Sequence, residues 1–188
     1  MTDELVIVQE APTAPIASAV SWAAIFAGAV VAMAVSLIFA VLGAGFAAGS
    51  LAAWPNPGRH LTSFSVWTGV WIIVTQWVSA GVGGYLAGRL RTRWQGLHTH
   101  EAFFRDTANG LITWALATLV VAGLGAALAG AGAPDAAAAT QQASADAIEA
   151  ARKAGAAFSV FTGVSLLVGA FIASVAAAIG GQERDLHA

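Results

Sequence analysis

The sequence predicts an all-α integral membrane protein, a four-helix bundle of two parallel-repeat hairpins with an extra polar, Ala-rich helix in the third loop. Three observations predict it. The 188 residues are 58% hydrophobic and 10% charged, against about 25% charged in an ordinary soluble domain, which is too few to cover such a core in water. The charges leave four stretches free of Asp, Glu, Lys and Arg: 11–58, 60–88, 107–134 and 154–182. Each exceeds the roughly 20 apolar residues that carry a helix across a hydrocarbon core of about 30 Å. Finally, FSVWTGV at 64–70 and FSVFTGV at 158–164 agree at six of seven positions, so the second and fourth helices read as copies.

Residues 1–17 form a tail. Its start, MTDELVIVQE, is acidic where a cleaved secretory signal would be basic, so the first helix is expected to stay as a permanent anchor. That helix covers 18–46 and carries a line of small residues four apart: Ala24, Gly28, Ala32, Ser36, Ala40 and Ala44. Lipid supplies no hydrophobic drive between helices, so close backbone approach along such a ridge must provide the attraction. An Ala-rich helix also produces such lines by chance. The first loop holds Pro55, Asn56 and Pro57, which stop a helix. Trp54, Trp67 and Trp71 suit an interfacial aromatic belt.

The second helix, 64–88, repeats the small spacing at Ala80, Gly84 and Gly88. Gln76, helped by Thr75 and Ser79, is its strongest polar group, and an amide at this depth is expected to turn inward and bond a neighbouring helix. The loop that follows carries Arg89, Arg91, Arg93 and Arg105, half of the eight basic residues, which sets it on the cytoplasmic side. Two crossings separate it from each terminus, so both termini are expected there too. His98, His100 and Glu101 are metal-ligand types, but three ligands within four residues of one loop make a poor site, and solvated side chains at the headgroups are the other reading.

The third helix, 107–131, is expected to use Asp106 as its N-cap. The third loop then holds a polar helix over 135–154, with Glu149 and Lys153 in favourable i,i+4 order, either lying at the surface or running on into the fourth helix with Gly155 as the point of bending. The fourth helix, 155–181, has its small ridge at Ser165, Gly169, Ala173, Ala177 and Gly181, and 183–188 is a charged cytoplasmic tail. In the repeat, the first and third helices align more loosely, Gly28 on Gly110 and Leu42-Gly43-Ala44 on Leu124-Gly125-Ala126. Copies crossing in one direction give a parallel repeat about an axis along the membrane normal; convergence of Ala/Gly/Val-rich helices is the alternative.

SWAAIFAGAVVAMAVSLIFAVLGAG, GGYLAGRL, GLITWALATLV and GAFIASVAAAIGGQERD together resemble a group of bacterial four-helix membrane proteins, some labelled PhnA-like. The resemblance implies the four-helix fold and no established activity, and the label does not imply phosphonate chemistry. The loop before GLITWAL is longer here than in those relatives, so it carries no role over to His98 or His100.

For function, no ionisable side chain lies inside any predicted span, whereas proton-coupled transporters, pumps and voltage sensors need one at depth. No Ser/His/Asp set is arranged for nucleophilic chemistry, and no basic, aromatic stretch suits nucleic acid. The sequence thus points to a non-enzymatic protein without cofactor or metal, whose partners are the bilayer and either further copies of itself or the subunits of a membrane complex. It would be a structural or accessory subunit packing through its small-residue faces. An oligomeric channel or passive facilitator for small neutral solutes, lined by Thr75, Gln76, Ser79, Thr113 and Thr118, is the alternative. A third reading makes the external segment 135–154 the working part.

Overall fold

The computed structural model describes residues 18–52, 61–92, 98–131 and 145–186. Nearly all of these lie in four helices: α1 Trp22–Ala52, α2 Leu61–Leu90, α3 Thr99–Ala131 and α4 Ala145–Leu186. Each contains a stretch long and apolar enough to cross a membrane, namely Trp22–Phe46, Trp67–Leu90, Thr99–Ala127 and Phe158–Leu186. The fold is an all-α four-helix membrane bundle. The 1–17 tail, Trp54 with the first-loop prolines, Arg93 and residues 135–144 lie outside the described residues.

Two helices are longer than the charge pattern suggested. α3 starts at Thr99 rather than 107, after a turn in which the His98 carbonyl accepts from the N–H groups of Glu101 and Ala102. Asp106 therefore sits two turns inside the helix and caps nothing. α4 is one helix of 42 residues, about 63 Å long at 1.5 Å per residue. Its first turns are the polar segment from Ala145, and the helix passes through Gly155 unbroken. It also runs on to Leu186, so Glu183, Arg184 and Asp185 are helical rather than part of a tail.

The most extensive contact is between α2 and α4, which run in the same direction; α1 packs on α2, α3 packs on α4, and α1 and α4 have no extended contact. Small residues make this possible. Apart from Ile25, every buried apolar side chain among the described residues is alanine, while Phe26, Leu37, Leu167 and Phe171 are exposed, the reverse of a water-soluble core. A Cβ added at Gly84 would strike the Ala173 backbone, and one at Gly88 the Ala177 backbone, so the two helices touch main chain to main chain. Dispersion contacts that a lipid tail cannot reproduce hold them.

Packing fills one half of the bundle. Ala24, Gly28 and Ala32 of the α1 ridge are buried and Ser36 is half-buried, but Ala40 and Ala44 are exposed, because beyond Ser36 no helix approaches that line closely enough to cover it. Ala80, Gly84, Gly88, Gly169, Ala173 and Ala177 are all buried. In the other half, residues 119–127 of α3 are exposed on every face, as are 158–164 of α4. Among the described residues, only the first hairpin is pinned there, by the Trp71 ring against Gly43. Trp71 is thus a packing residue rather than part of an aromatic belt, whereas Trp67 is 71% exposed.

The hairpins repeat, but not in the register of the FSV motifs. Gly28 of α1 meets Gly83 and Ala87 of α2, and Gly110 of α3 meets Ala173 and Ala177 of α4. Gly83 to Ala173 and Ala87 to Ala177 are steps of 90 residues, one helical turn short of the 94 from Phe64 to Phe158. A ridge with a period of four looks the same after a one-turn slip, which hides the difference in the sequence.

Gly88→Ala should destabilise the protein by about 1–3 kcal/mol through overpacking. Gly163→Ala, at a site with nothing within 4 Å, should be neutral or stabilise by up to about 1 kcal/mol through helix propensity. Thermal unfolding of both variants in the same detergent makes the comparison.

Candidate functional site

The polar side chains gather in two places. The first lies at the end of the bundle where α2 stops, α3 starts and α4 finishes. α2 ends at Leu90, and Arg91, in the bend that follows, turns its guanidinium inward until its side chain is fully buried. Its Nε pairs with Asp106 Oδ1 and its Nη2 donates to Asp106 Oδ2 at 2.9 Å, a side-on bidentate pair between α2 and α3. The same Nη2 donates to Asp185 Oδ2 of α4 at 2.8 Å. The cluster sits directly on Gly181, where a Cβ would strike the Asp106 carboxylate. Burial alone would push the Arg91 guanidinium down, but its bonds to Asp106 and Asp185 outweigh that and hold it above its usual value.

Around this cluster the other helices are tied in. Asn109, fully buried one turn past Asp106, accepts from the Ser21 N–H at 3.3 Å and so fixes the start of α1. Tyr85 donates from its hydroxyl to Glu183 at 2.7 Å, a second link from α2 to α4. Arg105 pairs with Glu101 along its own helix at 2.7 Å, and Arg89 is half-buried beside α4. Of the described arginines in this connector, then, Arg91 is an internal anchor rather than a headgroup contact. The apolar stretches of α3 and α4, Thr99–Ala127 and Phe158–Leu186, reach beyond the uncharged 107–131 and 155–181 and take in Asp106 and Asp185 near their ends. Both helices extend past the uncharged stretches, and the Arg91 guanidinium lies between the buried Asp106 carboxylate and the part-exposed Asp185 carboxylate.

The second group lies deeper, between α2, α3 and α4. Gln76 and Trp114 both abut Gly169: a Cβ there would lie 2.7 Å from Gln76 Nε2 and 3.1 Å from Trp114 Nε1. Neither nitrogen has a hydrogen-bond partner, so the interhelix bond expected of Gln76 is not made by its amide nitrogen. Thr75 Oγ1, Ser79 Oγ and Ser165 Oγ are likewise buried and unpartnered. The expected lining residues thus divide. Gln76 belongs to this group, Thr75 and Ser79 lie on the line of α2 from Trp71 to Gly83 that faces α1, Thr113 donates to the Asn109 carbonyl of its own helix at 2.8 Å, and Thr118 is half-buried.

His98 and His100 are exposed, and among the described residues no three His, Asp or Glu side chains come together as a metal-holding group. Sequence reasoning missed Asp106, Asp185 and Asn109 as bundle-closing residues and Trp114 as a neighbour of Gln76. One signal was present: Arg91, Asp106 and Asp185 each lie within three residues of the end of an uncharged stretch, at the same end of the bundle.

At the opposite end of α4, Arg152 holds the exposed Glu149 carboxyl below its ordinary value of 4.5 through hydrogen bonds of 2.8 and 2.9 Å, and Lys153 adds a contact at 3.5 Å. A depressed folded pKa means the pair favours the helix at every pH above the unfolded value, and that contribution fades as pH falls from 4.5 through the lowered value.

Asp106→Asn should destabilise the bundle by about 3–5 kcal/mol, because it leaves the buried guanidinium short of a charge. Asp185→Asn, at a side chain 34% exposed, should cost clearly less; chemical denaturation of both variants in one detergent tests the order. A carboxyl NMR titration should place the Glu149 midpoint below 4.5, and Arg152→Ala should return it towards that value. Comparisons with protein-family models, with curated proteins and with solved structures find no match.

Proposed function

We propose that this chain is a non-enzymatic protein of the bacterial inner membrane, a structural or accessory subunit that packs through small-residue helix faces into a homo-oligomer or a larger membrane complex. The carrying observation is the open half. Residues 119–127 and 158–164 are exposed on all faces, and Gly123, Gly125 and Gly163 have nothing within 4 Å. Glycine in a membrane helix allows backbone contact with another helix, and where these residues face no helix of their own chain they are available to one from another. The closed half supplies the rigid base, its arginine cluster at the cytoplasmic end as the Arg-rich connector implies. Both termini then lie in the cytoplasm.

A second reading keeps the unpartnered polar side chains of Thr75, Gln76, Ser79 and Ser165 in view. Hydroxyls and amides with no partner at this depth are what a passive route for small neutral solutes would use.

Purified in mild detergent, the chain should run as an oligomer or with other membrane proteins. Gly123→Leu combined with Gly163→Leu should shift it towards monomer by about tenfold or more in dissociation constant, equivalent to about 1.4 kcal/mol, with the monomer's unfolding midpoint not lowered. A monomer from the outset would remove this reading. In liposome flux measurements, solute-selective leakage abolished by Gln76→Leu would favour the facilitator, and tight vesicles the scaffold.

A further inference from the structure

The two hairpins share one plan in the packed half and part company in the other. In the first, the Trp71 ring lies over Gly43, where a Cβ would strike the indole. Its Nε1–H donates to the Phe39 carbonyl at 3.0 Å, and Phe39 and Phe46 flank it with ring centroids 5.7 and 6.0 Å away. The missing side chain at 43 makes the seat, and an aromatic ring from the other helix of the hairpin fills it.

The packed half fixes which residues of the second hairpin correspond. Gly28 to Gly110 is a step of 82 residues from α1 to α3, and Gly83 to Ala173 is a step of 90 from α2 to α4. Along the same helices these steps carry Gly43 to Gly125 and Trp71 to Phe161. Phe161 is aromatic like its counterpart and Gly125 is again a glycine. Yet Gly125 has nothing within 4 Å, and Phe161 is 68% exposed. The antiparallel register agrees: Gly110 meets Ala173 and Ala177, and 15 residues further along α3 and 12 to 16 back along α4 the facing residue falls at or next to Phe161.

We infer that Gly125 and Phe161 are the two halves of a latch, and that the second hairpin moves between the open form seen here and a closed form with Phe161 seated on Gly125 as Trp71 sits on Gly43. Closing draws α3 residues 119–127 and α4 residues 158–164 together and withdraws the faces that the open form presents. This consequence rests on the reading of those faces as the assembly surface: the latched chain is the free subunit and the open chain the assembled one. The weaker side chain fits such a role. Trp71 carries an N–H that bonds across the hairpin, whereas Phe161 has none, so the second latch can release where the first stays shut.

A photoreactive phenylalanine analogue at position 161 tests this in the full chain in lipid vesicles, with cross-linked peptides mapped by mass spectrometry. The latch predicts intrachain cross-links to α3 at and beside Gly125, lost in a Gly125→Leu background. Cross-links only to a second chain or to lipid, or cross-links to α3 unchanged by Gly125→Leu, would overturn it. The oligomeric state of the Phe161→Trp variant, whose stronger latch should favour the monomer, separates the two claims. Intrachain cross-links with an oligomer indifferent to Phe161→Trp would leave the latch standing and remove the assembly reading, and no intrachain cross-link would remove the latch whatever the oligomer does.

Discussion

Everything else in this bundle depends on the position of one guanidinium. The seam between α2 and α4 is made of glycine and alanine repeated every four residues, and such a seam has no preferred register of its own: slid by one turn, Gly84 would face Ala177 and Gly88 would face Gly181, small against small as before. Dispersion attraction is nearly the same in either arrangement. Arg91 removes the degeneracy. Bound side-on to Asp106 and end-on to Asp185, it admits only the register in which the ends of α2, α3 and α4 meet. A buried ion pair adds little net stability over a well-packed apolar substitute, and setting register is the best attested role for one.

That division of labour explains what the sequence could and could not reveal. The spans were legible because uncharged stretches of 28 residues and more, such as the 29 between Arg59 and Arg89, leave no other home than lipid. The helix-packing lines were legible too, since a four-residue period survives without knowledge of the partner. Where those lines stop being covered was not: Ala32 is buried and Ala40 is exposed on the same ridge, a matter of where neighbouring helices diverge. Arg91 was read as a topology signal, and its partners were missed because Asp185 lies 94 residues away and Asp106 looked like a helix cap. The repeat misled by one turn for the same reason that the seam needs a lock.

The structure is accordingly polarised. At one end, ion pairs, the Tyr85–Glu183 bond and the Asn109 link to Ser21 join all four helices. At the other, one hairpin is shut by an indole and the second stands open with bare glycines. A fixed base with one free hairpin suits a subunit that must hold its own shape while lending a face to others. The unpartnered Gln76 amide and Trp114 indole nitrogens at Gly169 lie between these two regimes, at the level where the close contacts of the base give way to the exposed stretches of α3 and α4.

The central claim is that Arg91 is an internal lock between two helices' carboxylates and not a residue bathing in headgroups. Solid-state NMR of the protein in lipid bilayers, correlating the Arg91 guanidinium nitrogens with carboxyl carbons, addresses it most directly. Correlations to both Asp106 and Asp185, insensitive to added salt, are the predicted result. An Arg91 side chain that correlates only with water and lipid phosphate would contradict the account.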